Sequence, residues 1–147
     1  MQSSRDQMVV ATVQRLGYVS RVGLERAYFQ SERTAQRVLA RLTKTGHLRR
    51  TERLGPAIYH LGRWEAQAEH RAAVSDAILL LRPHRWKLEV PVPGTRAKAD
   101  ALLLKDGHLL DRAVKPKAAF ILHRLPCLAL RRLTEPEDQE IREHGKL

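Results

Sequence analysis

The chain has 147 residues, 43% apolar and 5% aromatic, a size that allows one domain or two small ones around cores of Leu, Val, Ala and Ile. Its 27 Lys and Arg against 16 Asp and Glu leave a formal charge of +11, which points to a polyanionic partner, nucleic acid ahead of an anionic membrane. Several classes are disfavoured: no long apolar run or lipidation signature marks a membrane protein, the polar opening MQSSRDQ leads into no export signal, and the single Cys127 excludes a disulfide framework or a Cys-based zinc site. A cytoplasmic protein with no membrane partner is the expectation.

In chain order, Met8, Val9, Ala11, Thr12, Val13 and Leu16 fall at helical spacing within residues 4–16, and Gly17 is a stop. After Tyr18 and Val19, Ser20 caps a short helix reaching Tyr28, with Val22, Leu24 and Ala27 inward. Ser31 caps a third helix over residues 31–45, ended by Gly46. Residues 47–53 and 57–61 read as two strands of a hairpin whose tip is Leu54-Gly55-Pro56-Ala57. A long helix is expected over residues 63–81, burying Trp64, Ala68, Ala72, Val74, Ala77, Ile78 and Leu81 and ended by Pro83. Strands follow at 86–90 and 99–104, separated by a loop at 91–94. The Asp106-Gly107 turn leads to a third strand at 108–114. Residues 118–133 suit strand or helix with a break at Pro126, and 135–147 form a charged tail. Trp64 and Trp86 are expected to pack between the two halves.

The third helix is the informative element. At 100° per residue, Ala35, Val38, Leu39 and Leu42 form one stripe, and Arg33, Gln36, Arg37, Ala40, Arg41 and Lys44 the opposite one. Arg and Gln bind phosphates and read guanine and adenine edges, and the small Ala40 lets the backbone approach a groove wall. Glu32, the only acid, stands at the first turn, where it suits the helix dipole. A basic helix face is by default a solvated surface. Three features argue otherwise: the short preceding helix, the tight Phe29-Gln30 turn, and the hairpin carrying Arg49, Arg50 and Arg53. The charge is also uneven, residues 1–62 holding 11 basic and 4 acidic side chains.

The stretch SERTAQRVLARLTKTGHLRRTERLGPAIYHLG resembles the recognition helix and wing of winged-helix regulators, through Leu39, Leu42, Gly46, Leu48, Arg50, Tyr59 and Leu61. The resemblance covers residues 1–62. It implies Arg33, Gln36, Arg37, Arg41 and Lys44 as major-groove or phosphate contacts, and Arg49, Arg50 and Arg53 as wing contacts to double-stranded DNA. It is specific for fold and poor for target sequence.

A narrower resemblance continues in HRAAVSDAILLL, WKLEV and RAKADALLL, similar to replication-relaxation proteins of plasmids and mobile elements. There a winged helix precedes a small α/β domain related to restriction-type nucleases, and His70, Glu89 and Asp100 are the matching positions. Such a nuclease would hold Mg²⁺ with Asp100 and a following Glu-x-Lys pair. Here Asp111 stands where an acid belongs, but Lys115 and Lys117 come two and four residues too late. Glu89 beside Lys87, and Asp100 near Lys98 or Arg96, equally suit a strand surface.

Other chemistry has less support. The seven His are scattered without metal-ligand spacing, Pro93-Gly94-Thr95 is too short for a phosphate loop, and Ser3, Ser4, Ser20, Ser31 and Ser75 sit in cap or helix settings. The expectation is therefore an α+β chain with three parts. Residues 1–62 form a winged helix-turn-helix, 63–134 a linker helix with a small α/β and degenerate nuclease-like domain, and 135–147 a tail. The expected function is a non-catalytic DNA-binding regulator of transcription or mobile-element replication, homodimeric, without metal or cofactor. Its rivals are a Mg²⁺-dependent nuclease and a winged-helix protein-interaction module.

Overall fold

The structure, a computed structural model, describes residues 2–82, 85–91, 96, 98–106, 116–124 and 128–132. It is α+β and divides into two compact units, Met1–Leu81 and Arg82–Leu147.

The first unit opens with α1 (Ser4–Leu16), started by a reciprocal capping box in which the Ser3 side chain accepts from the Asp6 N–H while Asp6 accepts from the Ser3 N–H. The short strand β1 (Tyr18–Ser20) leads directly into α2 (Arg21–Tyr28), whose N-cap is Ser20. Three residues later α3 (Glu32–Lys44) begins, capped by Ser31 through the Thr34 N–H. Gly46 ends that turn at φ 81°, a left-handed conformation in which a Cβ would be strained. Strands β2 (Arg49–Thr51) and β3 (Ile58–His60) form the hairpin, and α4 (Ala68–Leu81) closes the unit.

The apolar residues that form these elements also fill their common core. Val9, Val13, Val19, Leu24, Leu39, Leu42 and Leu48 are essentially inaccessible, and each contributes about 1.5–3 kcal/mol through burial. Of the apolar positions at helical spacing in this segment, Met8 and Ala11 are exposed, because the buried stripe of α1 runs through Asp6, Val9, Val13 and Leu16.

Three elements depart from the sequence reading. The hairpin belongs to a three-stranded antiparallel sheet of order β1-β3-β2, with Tyr18 opposite His60 and Arg49 on the other side of the same residue. A three-residue strand is too short to show an alternating pattern, and all of β1 is buried. The last helix begins at Ala68 rather than residue 63. The Tyr18 hydroxyl donates to the Arg63 carbonyl at 2.5 Å and holds that segment out of helix, while Trp64 packs edge-on against Tyr18 and His60. Trp64 is thus part of the first unit's own core, with Tyr18, Ile58, Ala68 and Ala72. For the same reason the units divide after Leu81 and not after residue 62: α4 packs on β1 and α2.

In the second unit, β4 (Arg85–Pro91), β5 (Lys98–Asp106), β6 (Pro116–Arg124) and β7 (Leu128–Arg132) form one antiparallel sheet in chain order. Its described elements are all strands, where a small α/β domain was expected. The expected break at Pro126 lies outside the described residues. The strand expected at 108–114, most of the 91–94 loop, Pro83 and the tail lie outside the described residues. Ala101, Leu102 and Leu103 are buried in succession, so both faces of β5 are covered there.

A half-buried carboxylate links three elements of the first unit. Asp76 on α4 accepts from the Ser20 N–H at 3.2 Å and the Ser20 Oγ–H at 2.5 Å, while Ser20 Oγ accepts from the Gly23 N–H. A Cβ on Gly23 would stand 2.2 Å from Asp76 Oδ1, so only glycine lets α2 approach this closely. Gly23→Ala should therefore cost about 2 kcal/mol in urea unfolding. The Gly23→Ala/Asp76→Ala double variant should lose less than the sum of the singles, because removing the carboxylate makes room for the methyl.

Burial pushes the Asp76 carboxyl above its ordinary range, against the opposing hydrogen bonds from Ser20 and the charge of Arg26. The folded chain then keeps this proton at pH values where the unfolded chain has released it, so stability falls as pH rises through that window. Relative to the non-titrating Asp76→Asn variant, the unfolding free energy should decline from the ordinary carboxylate pKa up to the raised one and level off above it. Urea unfolding at stepped pH, followed by Trp64 fluorescence in a Trp86→Phe background, checks this. A flat or rising difference contradicts it.

Candidate nucleic-acid interface

With its apolar stripe pinned to the core, α3 has one face left to present. Arg33, Gln36, Arg37, Ala40, Arg41 and Lys44 are all exposed. They are not equivalent. At 100° per residue Arg33, Arg37, Ala40 and Lys44 occupy the centre of the exposed face, with Gln36 and Arg41 on its flanks. The central cations Arg33, Arg37 and Lys44 have no hydrogen-bond or ion-pair partner among the described residues.

The flanking residues are engaged. Arg41 Nη2 meets Asp6 Oδ2 at 2.5 Å, its own side chain 57% exposed and that of Asp6 only 2%. Asp6 is the same acid that completes the cap of α1, so Arg41 compensates a buried charge and ties α3 to the start of α1. Gln36 Nε2 donates to Glu32 Oε1 at 3.1 Å. The same oxygen receives Arg21 Nη1 at 2.8 Å, and Arg21 also reaches Glu25 at 3.5 Å. Glu32 thus joins the first turns of α2 and α3.

The hairpin cations point in different directions. Arg50 lies opposite Tyr59, whereas Arg49 lies opposite His60, and directly opposed residues share a face of the sheet. Arg50 therefore shares the Tyr59 face and Arg49 the face of His60. Arg50 pairs with Glu52 at 2.6 Å. Desolvation works against its charge, but the bonds to Glu52 and Tyr59 outweigh it and raise its pKa further. Burial in turn pushes the Tyr59 phenol up, so it stays a neutral hydroxyl against the opposing effect of Arg50. Arg53 leaves this side altogether, its guanidinium lying 5.1 Å from the Trp64 ring centroid.

An open groove of about 620 Å³ is lined by Gln36, Ala40 and Lys44 of α3, Arg21 at the start of α2, and Arg50, Tyr59 and the acid Glu52, already paired with Arg50, on the hairpin side. Its donors are cationic or neutral N–H and O–H groups, which is the chemistry that receives anionic oxygens. Arg21 and Tyr59 were not singled out from sequence as site residues. Asp6 was missed as well, although the Ser3-x-x-Asp6 spacing before an apolar run is a readable capping signal.

The residues of the nuclease resemblance are divided between the two units. His70 is on α4 of the first unit, while Glu89 on β4 and Asp100 on β5 lie between the Leu88–Ala101 and Val90–Ala99 pairs of the second unit's sheet. Glu89 takes φ 52° and is exposed. Asp111 and Lys115 lie outside the described residues. Among the described residues no group of three or more His, Cys, Asp or Glu could hold a metal ion, and no helix is long and apolar enough to cross a membrane.

Comparison of the chain with protein-family models, with curated proteins and with solved structures gives no match.

The division of roles on α3 is testable through stability. Arg41→Ala strands the buried Asp6 carboxylate and should cost about 2 kcal/mol. Arg33→Ala and Arg37→Ala should stay within about 0.5 kcal/mol of the parent. Urea unfolding of the three variants distinguishes them, and equal losses would contradict the separation.

Proposed function

We propose that the first unit is a winged helix-turn-helix that binds double-stranded DNA, in a regulator of transcription or of mobile-element replication. In this reading α3 enters the major groove and the β2–β3 hairpin is the wing. The observation that carries it is the set of three unpartnered cations, Arg33, Arg37 and Lys44, around the small Ala40 at the centre of one exposed helix face. A merely solvated basic face would gain from local acids, as the flanks of this helix do with Asp6 and Glu32. At its centre the charge is left for something outside the chain.

The order of helix, strand, helix, helix and hairpin supports the same reading. So does the three-residue connection between α2 and α3, which sets the second helix of the pair on the surface. In this proposal Arg37 and Arg33 read base edges, and Lys44 and Arg50 contact phosphates. Arg41 acts mainly by holding α3 in place. Arg49 and Arg53, on the other side of the hairpin, reach phosphates only beyond its edge. The protein binds as a two-fold dimer, as such regulators commonly do, so its half-sites lie about one helical turn apart.

Selection of bound sequences from a randomised duplex pool at two salt concentrations tests the reading. Enrichment of a site, arranged as an inverted repeat, is expected. If about six cations neutralise phosphates, the log–log salt slope is about −5. The Arg33→Ala/Arg37→Ala/Lys44→Ala triple variant should flatten it by about 2–3 and abolish the preference. Binding unchanged by the triple variant, or absent at both salt concentrations, would sink the proposal.

A further inference from the structure

A second concavity, of about 410 Å³, lies on the opposite side of the sheet within the first unit. Val22, Ile58 and Ala72 line it with apolar surface, and the hairpin tip at Leu54-Gly55-Pro56 forms its exposed rim. Trp64 stands in one wall. Two carboxylates, Glu69 and Asp76, stand in the wall made by α4.

Three observations fix the kind of ligand this place would take. First, its size and mostly apolar lining with a few polar groups are those of a small-molecule site. Second, the Trp64 ring already carries a planar cation, the Arg53 guanidinium at 5.1 Å, delivered by an exposed side chain from the hairpin. Third, in a chain of charge +11 this pocket holds two acids against the single Arg53. Glu69 is exposed and has no ion-pair partner among the described residues. Asp76 gives one lone pair of each oxygen to Ser20 and keeps acceptor capacity on both. A raised carboxyl pKa at Asp76, caused by burial, fits an acid that lacks a cation close enough to offset its desolvation.

We propose that this pocket binds a small planar organic cation, an aromatic amidine or guanidine, stacked on Trp64 in place of Arg53 with its charge toward Glu69 and Asp76. Arg53 is then an internal occupant of the ring face, displaced on binding. The site belongs to the unit's own fold and does not depend on what α3 contacts.

Benzamidine is the probe, titrated into the full-length protein without DNA and followed by the Trp64 indole N–H resonance. A dissociation constant of about 1 mM or lower is expected, with the neutral isostere benzamide at least about tenfold weaker. Arg53→Gln, which clears the ring face, should tighten benzamidine by about threefold, and Glu69→Gln should weaken it by a similar factor. Both side chains are exposed, so neither change threatens the fold, unlike replacement of Asp76. Opposite shifts in these two variants are the signature of the site. Equal binding of benzamidine and benzamide, no response at about 10 mM, or indifference to both variants would overturn it.

Discussion

The first unit turns on one half-buried carboxylate. Asp76 cannot sit in a low-dielectric wall without donors, and Ser20 supplies two of them, from its backbone N–H and its hydroxyl. Ser20 is also the last residue of β1 and the N-cap of α2. One hydroxyl therefore joins the sheet, the start of a helix and the packing of α4. Gly23 is the steric condition for that junction, since any side chain there would occupy the carboxylate's place. Because α4 is fastened this way, Tyr18, His60 and Trp64 can stack beneath it, and the hairpin acquires a back wall.

A similar economy of acids shapes the basic face. Only four acids accompany eleven cations in residues 1–62. Asp6, Glu32 and Glu52 each take a cation or amide at the margin of the α3–hairpin surface: Arg41, Arg21 with Gln36, and Arg50. None of them reaches the middle of α3. Exposed ion pairs add little stability, so the marginal pairs matter chiefly for orientation. The Arg41–Asp6 pair is the exception, because one of its members is buried. The resulting surface is ion-paired at its edges and, among the described residues, unpaired at its centre, which is why the proposed function rests on Arg33, Arg37 and Lys44 rather than on net charge alone.

The two sides of the hairpin have separate characters. Arg50 and Tyr59 face the groove beside α3, whereas His60, Trp64 and Arg53 line the side toward α4. Alternation along a strand dictates this split for Arg49 and Arg50, which are adjacent and so cannot point the same way. Arg49, Arg50 and Arg53, which the winged-helix resemblance groups as wing contacts, are thus distributed over both sides of the hairpin.

What could be read from the residues was whatever local periodicity and capping encode. The positions of α1, α2 and α3, their Ser and Gly boundaries, the hairpin, and the opposition of apolar and basic stripes on α3 all arise from interactions within a few residues, so the amino-acid sequence by itself determined them. Nothing so local announces that Tyr18–Ser20 is a strand, since its three residues acquire that state only by pairing with β3. Nor does it announce that residues 63–67 stay outside the helix, which depends on a hydroxyl 45 residues away in the chain. The same holds at the site. That Arg33, Gln36, Arg37, Arg41 and Lys44 share one face is a property of the helix, but which of them are already spent was decided by tertiary structure, because ion pairs such as Arg41–Asp6 join residues that only folding brings within reach.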